Sequence, residues 1–255
     1  MSNESLGDRM KGYERAARIV LPRRVPVILR VDGKAFHTVT KDCVRPFDET
    51  LMTRMDRVAV RLCEEIQGAA LAFVQSDEIS ILIHNYRRLN SEAWFDNEVQ
   101  KMASVSAALA ASTFSDGWSH PVAFDSRVFI LPEAEVCNYF IWRQQDATRN
   151  SIQMATRALY SHREVDGKNT SEMQEMMHAK GVNWNDYPVG CKRGRATVKV
   201  PRVGLGRDPE GFAVYVDRSE WRIEDPPIFT QDRDYVNRRL AVVDEDAMPT
   251  GSGGT

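Results

Sequence analysis

The 255-residue sequence lacks the features that mark exported and membrane-spanning proteins. No apolar run approaches the ~18–20 residues needed to cross a bilayer. Residues 1–18 are polar and include acidic side chains, which excludes both a secretory signal and an Arg-rich transit peptide at this position. We therefore expect no membrane partner and a cytoplasmic location.

Cysteine, histidine and excess charge are also scarce. The four cysteines lie far apart without a Cys-x-x-Cys pair, which predicts reduced thiols and neither a zinc site nor a disulfide framework. The five histidines show no metal-ligand spacing. A net charge of −2 argues against a protein that coats nucleic acid by bulk charge, although a local basic face remains compatible with it.

Several common catalytic motifs are missing as well. The sequence contains no His-Glu-x-x-His, no Gly-x-Ser-x-Gly and no Walker-type Gly-x-x-x-x-Gly-Lys-[Ser/Thr] segment. The Gly-Leu-Gly at 204–206 is too short for a dinucleotide fingerprint and predicts a hairpin connection instead. Zinc peptidases, serine hydrolases of that type and P-loop enzymes are thereby excluded.

The hydrophobic pattern predicts an α+β protein with a ferredoxin-like βαββαβ core. Apolar, β-rich runs predict strands at 25–31, 70–75, 79–84 and 122–131. Apolar steps of three and four predict helices at 48–66 and 92–112. In this topology the strand order is 4-1-3-2.

A helical and β C-terminal extension follows the core. We predict helices from 133 to about 143, at 148–160 and at 171–180, then strands at 196–203 and 212–216 joined by a glycine-rich connection. Residues 1–132 form the predicted catalytic core and 133–245 belong to the same catalytic unit. The polar, glycine-rich segment 246–255 is predicted to be disordered.

Two acidic positions converge in the predicted topology. The end of strand 1 carries Asp32, and the turn between strands 2 and 3 carries Ser76, Asp77 and Glu78. Each segment alone is more often only a polar turn, but the strand order brings both to one end of the sheet. Mg²⁺ prefers such carboxylate oxygens, and two ions can serve phosphoryl chemistry. Gly33 leaves room there for a phosphate or metal.

Cationic and aromatic side chains follow on the same loop. Lys34 and Lys41 are candidates to bind phosphate, and Phe36 and His37 are candidates to stack on a base. A core position that anchors the loop is an equal alternative for Phe36. Two further basic residues, Lys101 and Arg127, are weaker triphosphate candidates.

Four motifs in order carry a family resemblance. They are RVDGKAFH at 30–37, QSDEIS at 75–80, FDSRV at 124–128 and WRQQDATRNSI at 142–152. Together they resemble the tRNA-His guanylyltransferase family, including its bacterial and archaeal 3′–5′ polymerase-like members. The resemblance implies a catalytic core similar to the palm of DNA polymerases, tRNA as the partner and a homotetramer.

The resemblance also implies roles for individual residues. Asp32 and Asp77 would bind two Mg²⁺ ions with help from the Gly33 carbonyl, and Glu78 would be an essential acidic neighbour. GTP, ATP or other nucleoside triphosphates would be held by a larger set: Asp32, Gly33, Lys34, Ala35, Phe36, His37, Lys41, Ser76, Asp77, Lys101, Arg127 and Asn150.

The remaining hypotheses concern RNA. The cationic cluster Lys192, Arg193 and Arg195 is predicted to contact tRNA phosphates, with a merely solvated patch as the alternative. Residues 148–154 match the family's eukaryotic branch only at Asn150, which favours templated repair of 5′ ends over untemplated addition of one G to tRNA-His. A palm-type nucleotidyl cyclase or signalling-nucleotide synthase that does not use RNA is the rival enzyme class. A non-catalytic RNA-binding module is a third hypothesis, disfavoured because carboxylates without metal repel phosphate.

Overall fold

In the described part of the chain, six antiparallel strands form one sheet in the order β4-β1-β3-β2-β5-β6. This is the arrangement in the computed structural model, which describes residues 5–88, 90–207 and 212–242. The strands are β1 Val27–Gly33, β2 Ala69–Gln75, β3 Glu78–Ile83, β4 Phe124–Ile130, β5 Arg195–Arg207 and β6 Ala213–Glu224. The predicted order 4-1-3-2 is confirmed, and β5 and β6 extend the same sheet beyond β2.

The helices surround this sheet in chain order. They are α1 Leu6–Ala16, α2 Phe36–Val39, α3 Glu49–Glu65, α4 Val99–Ser115, α5 Glu133–Arg157, α6 His162–Val165, α7 Thr170–Ala179, α8 Val189–Arg193 and α9 Asp234–Asn237. Short 3₁₀ segments lie at Trp94–Asn97, Trp184–Asp186 and Arg238–Leu240. Within the described ranges, no helix is both long and apolar enough to cross a membrane.

The sheet is covered on both faces, which explains the apolar character of its central strands. One face packs against α3 and α4 through residues such as Leu29, Met55 and Phe114. The other face packs against α5 through residues such as Ile28 and Phe140. The N-terminus of α3 is capped by Asp48, whose carboxylate accepts a 2.9 Å hydrogen bond from the Leu51 amide.

The prediction of two helices between 133 and 160 was wrong. A single helix, α5, runs through the polar segment that suggested a break. Gln144 is buried there because its side chain donates to the Pro227 carbonyl at 2.9 Å and accepts from the Phe229 amide at 2.8 Å. These tertiary hydrogen bonds let polar residues face the core of a continuous helix.

The length of α5 determines where it ends. At ~1.5 Å per residue it measures roughly 37 Å, whereas β1 measures roughly 23 Å at ~3.3 Å per residue. Arg143 already contacts Glu78, which begins β3. The last turns of α5 therefore project past the sheet at the end that holds Asp32 and Asp77, called here the carboxylate end.

The two late strands are longer than predicted. Gly204 and Gly206 lie within β5, not in the connection to β6. Only the first residues of β5 pair with β2, at Ala72 to Val74, so the rest of β5 and β6 forms a two-stranded ribbon. β5 begins at the carboxylate end and runs toward the opposite end of the sheet. Residues 246–255, predicted to be disordered, lie outside the described residues.

Candidate active site

Backbone pairing brings the two predicted carboxylates together. Asp32 is the register partner of Glu78, and the turn residue Asp77 immediately precedes Glu78. The Gly33 amide donates a 3.1 Å hydrogen bond to the Asp77 carbonyl, which fixes the end of β1 against the turn. Ser76 takes the left-handed conformation that closes this tight connection. The sheet topology alone thus places Asp32 beside Asp77.

The environment of Asp77 disfavours its negative charge. Burial raises the pKa of the Asp77 carboxyl to about 6, and the charges of Asp32 and Glu78 act in the same direction. Hydrogen bonds from its own backbone amide and from Ser76 only partly oppose this effect. A cation placed between Asp32 and Asp77 would offset the repulsion, so the ionised pair is suited to binding a metal.

The donor set fits a cation that is shared with a substrate. In the described part of the chain, no three His, Cys, Asp or Glu side chains are grouped to hold a metal by themselves. The Asp32 and Asp77 carboxylates with a nearby backbone carbonyl would leave coordination positions for phosphate oxygens and water. Mg²⁺ commonly binds proteins in this incomplete manner.

Glu78 differs from the two aspartates because its carboxylate is fully engaged. It is buried and accepts from Arg143 at both oxygens, with Nε–Oε1 2.7 Å and Nη2–Oε2 2.8 Å. Arg30 approaches the same carboxylate at 3.8 Å. A carboxylate held in this bidentate way is not free to bind a metal. Glu78 therefore anchors α5 to the turn that carries Asp77.

Arg143 and Asp146 were not predicted as site residues. Nη2 of Arg143 also donates to Asp146 Oδ2 at 2.8 Å, and Asn150 Nδ2 lies 3.4 Å from the same oxygen. Asp146 pairs in addition with Arg149. The signal was present in the sequence, because Arg143, Asp146 and Asn150 recur at helical spacing within a motif of the family resemblance.

Two cavities meet at the carboxylate end. The loop cavity, of about 360 Å³, lies under residues 36–52 and reaches Cys191. The carboxylate cavity, of about 330 Å³, contains Asp32, Glu78 and Arg143. The two cavities share one wall, formed by Gln75, Ser76, Asp77, Asn150, Met154 and Arg157. Two reactants placed in these cavities would meet beside Asp77.

The loop after β1 is anchored by Phe36. Its ring is buried and lies 5.3 Å from the centroids of both Phe114 and Phe124. The burial of this ring favours the core alternative for Phe36 over base stacking, although Phe36 is also among the residues that line the loop cavity. Lys34, Ala35 and His37 are exposed on the same loop, and His37 lines the loop cavity.

Gly33 is required by the Phe36 ring. A Cβ at position 33 would lie 2.2 Å from Phe36 Cδ2, far inside van der Waals contact. We expect Gly33→Ala to lower the free energy of unfolding by about 1–3 kcal/mol through overpacking. Urea denaturation measures this change, and the penalty should shrink in a Phe36→Leu background. An equal penalty in both backgrounds would contradict the proposed clash.

A matched glycine provides the control for that substitution. Gly12 lies inside α1, and among the described residues a Cβ there would meet no atom within 4 Å beyond its chain neighbours and the backbone of its own helix. We expect Gly12→Ala to be neutral or stabilising by roughly 0.5–1 kcal/mol, because alanine favours the helix.

The remaining predicted phosphate ligands are placed unequally. Arg127 on β4 is the register partner of Arg30, two positions from the Asp32 pair, and forms a 3.1 Å ion pair with Asp125. Lys41 is exposed on the loop, 3.9 Å from Asp42. Asn150 lines both cavities. These residues lie at or near the carboxylate end.

The structure does not bring Lys101 to the site. Phe114, near the end of α4, contacts Phe36 at the carboxylate end. Lys101 lies about 20 Å earlier along that helix, where it pairs with Glu98 at 3.5 Å. The prediction that Lys101 contacts a triphosphate bound to the same chain is therefore wrong.

The predicted tRNA-binding cluster is also divided. Arg195 is buried and forms a 2.6 Å ion pair with Asp56, and buried Lys192 donates to the Asn185 carbonyl. Both cations already pair with partners inside the protein. The prediction that Lys192 and Arg195 contact RNA phosphate is therefore wrong. Arg193 is half-buried and remains a candidate.

Comparison with known proteins identifies the family. The family model described as tRNA-His guanylyltransferase, Thg1, matches residues 7–132. A solved bacterial Thg1-like protein in complex with ATP is 43% identical, with 94% of this chain and 100% of that chain covered at a TM-score of 0.83. The chain belongs to the tRNA-His guanylyltransferase family. It is accordingly a nucleotidyltransferase that acts on tRNA, with the family's palm-like α+β fold.

Two further matches agree. A bacterial Thg1-like protein solved in complex with GTP is 43% identical, covering 92% of this chain and 98% of that chain at a TM-score of 0.79. A probable tRNA-His guanylyltransferase of Dictyostelium discoideum is 25% identical over 71% of this chain and 78% of its own length. Membership of this family decides against the cyclase and the non-catalytic RNA-binding hypotheses.

Proposed function

We propose that the chain adds nucleotides in the 3′–5′ direction to the 5′ end of tRNA. The observation that carries this proposal is the position of Asp77 beside Asp32 and in the wall shared by two cavities. A reaction that joins a nucleoside triphosphate to an RNA end needs two binding spaces that meet at one phosphate. The solved bacterial relatives were found with ATP and GTP, which fits triphosphate substrates.

Asp32 and Asp77 would hold two Mg²⁺ ions, with the Gly33 carbonyl as a further ligand. When bound, the ions would neutralise phosphate charge and favour ionisation of the attacking hydroxyl. The protein itself orients the two carboxylates through the register of β1 with β3. Arg143 holds Glu78, and thereby the Asp77 turn, against α5.

The proposed chemistry has two balanced steps. The 5′-monophosphate of the RNA attacks the α-phosphorus of ATP, which forms a 5′-adenylylated end and releases pyrophosphate. The 3′-hydroxyl of an incoming GTP or other nucleoside triphosphate then attacks the RNA 5′-phosphorus, and AMP leaves. The loop residues 32–37 and Lys41 would hold a nucleotide, with His37 in the lining of the loop cavity and Asn150 at the shared wall.

Three further features belong to the proposal. Arg193, beside the buried Lys192, is the candidate for a tRNA phosphate contact. A homotetramer is the state that the family resemblance implies, and an interface between copies is supported by α1, which buries no residue within its own chain and exposes Leu6, Met10 and Tyr13 at helical spacing. We place the enzyme in the cytoplasm, where tRNA is available.

We expect templated repair, and not G addition alone. Only Asn150 within residues 148–154 matches the eukaryotic pattern, and Asn150 and Met154 both line the shared wall. Pairing with the opposite strand can position the incoming 3′-hydroxyl, and such placement is worth several kcal/mol, up to ~7–11 in model reactions. A tRNA lacking its first 5′ nucleotide should therefore receive the complementary base, whatever its anticodon.

The test compares kcat/KM for such truncated tRNAs with that for full-length tRNA-His. Changing the opposing base in the truncated substrate should change the nucleotide that is added. Preference for full-length tRNA-His, with G added against every opposing base, would overturn the templated mechanism.

A further inference from the structure

Arg157 occupies an unusual position between the two cavities. It is the last residue of α5 and lies seven positions, or two helical turns, after Asn150. Both cavities are lined by this side chain. Its side chain is exposed and, within residues 5–88, 90–207 and 212–242, forms no hydrogen bond or ion pair. Its guanidinium is therefore available to a ligand from either side.

The other arginines of the cavities are placed differently. Arg143 lines the carboxylate cavity and is held by Glu78, whereas Arg195 lines the loop cavity and is held by Asp56. Arg45 lines the loop cavity only. In the described part of the shared wall, Asp77 and Arg157 are the charged members, and Arg157 is the cation.

We propose that Arg157 binds the 5′-phosphate of the RNA acceptor. This inference rests on the proposed function, in which one phosphate is passed between reactants on the two sides of the shared wall. That phosphate must be reachable from both cavities, and Arg157 meets this condition from the helix side. A guanidinium suits the task because its planar donors can bind two phosphate oxygens at once.

A structural role makes a different prediction. A cation in the last turn of a helix interacts favourably with the helix dipole, by roughly 0.3–1 kcal/mol. In that case Arg157 would affect stability and leave ligand binding unchanged. A contact to the nucleotide triphosphate is the other rival, since Arg157 also lines the loop cavity, in which the proposed function places a nucleotide.

The experiment is a binding cycle that needs no catalysis. An acceptor-stem RNA with a 5′-phosphate and the same RNA with a 5′-hydroxyl are titrated against the wild-type protein and three variants, with Mg²⁺ and without nucleotide. Arg157→Gln removes the charge. Arg157→Lys keeps the charge but lacks the planar donors that can bind two phosphate oxygens at once. Arg163→Gln is the matched control, because Arg163 is exposed on α6 and lines neither cavity.

We expect the wild-type protein to prefer the 5′-phosphate by about tenfold or more, the size of one charge-assisted contact. Arg157→Gln should reduce this preference to below about threefold while the affinity for 5′-hydroxyl RNA stays constant. Arg157→Lys should be intermediate, and Arg163→Gln should match the wild type. Thermal unfolding checks that each variant is folded.

Three results would overturn the proposal. They are absence of a phosphate preference in the wild type, an equal loss of affinity for both RNAs in Arg157→Gln, and, in a separate titration with ATP, a rise in the Kd of Arg157→Gln for ATP while its phosphate preference is unchanged. A different result would refute the proposed function without refuting the Arg157 contact. A protein that prefers the 5′-phosphate through Arg157 but adds no nucleotide would refute the reaction and retain this contact.

Discussion

Replacing Asp77 with asparagine should abolish nucleotide addition and stabilise the metal-free protein. Burial raises the pKa of Asp77 to about 6, above its ordinary value of 3.8. The protonated carboxyl therefore contributes stability that is fully present below pH 3.8 and is lost as the pH rises through 6. At neutral pH the charged form costs at most about 3 kcal/mol, and less after solvent screening. A neutral isostere removes that cost.

Thermal unfolding with EDTA and with Mg²⁺ measures this effect. We expect Asp77→Asn to unfold at a higher temperature than the wild type in EDTA above pH 6, and at the same temperature near pH 3.8 if both remain folded. Mg²⁺ should raise the Tm of the wild type and leave that of the variant almost unchanged. Asp166→Asn, at an exposed position outside both cavities, is the control. A variant that retains activity, or is less stable in EDTA, would contradict the assignment.

Replacing Arg143 with methionine should destabilise the protein by about 3–5 kcal/mol and eliminate activity. The variant leaves Glu78 and Asp146 without the guanidinium that holds both of them. Removing one partner of a buried ion pair strands an uncompensated charge, which is far more costly than losing an exposed pair. The Asp77 turn would also lose its attachment to α5, so activity should fall even where the variant is folded.

Two companion variants separate these effects. Arg149→Met removes the exposed partner of Asp146 on the same helix and should cost less than about 1 kcal/mol. Adding Glu78→Gln to Arg143→Met should recover part of the lost stability without recovering activity. Urea denaturation gives the free energies of unfolding. Equal costs for Arg143→Met and Arg149→Met would show that the buried network is unimportant.

The strand order and the meeting of the two aspartates could be predicted because both depend on local patterns. Apolar, β-rich runs located β1 to β4, and the ferredoxin-like order then determined the neighbour of each strand end. Asp32 and Asp77 lie at strand ends, so their proximity follows from backbone register alone.

Other features depend on tertiary partners that no local pattern reveals. The continuity of α5 depends on the hydrogen bonds between Gln144 and the backbone of 227–229. The burial of Arg195 depends on Asp56, which is 139 positions away. The position of Lys101 was predicted wrongly because α4 runs antiparallel to the adjacent β4, so the first turn of this helix lies far from the carboxylate end. Charge and spacing along the helix do not reveal its direction.

The continuity of α5 also bears on how the enzyme can adapt to successive reactants. One half of this helix lies in the core at Val136 and Phe140, and the other half forms the cavity wall at Asn150 and Arg157. An unbroken helix moves as a rod, so the wall cannot shift unless the core shifts with it. In the proposed two-step reaction, conformational adjustment between the adenylating nucleotide and the incoming one would then fall to the loop at 34–48. Substitutions of core residues on α5 should therefore also change the positions of the residues on this helix that line the cavities.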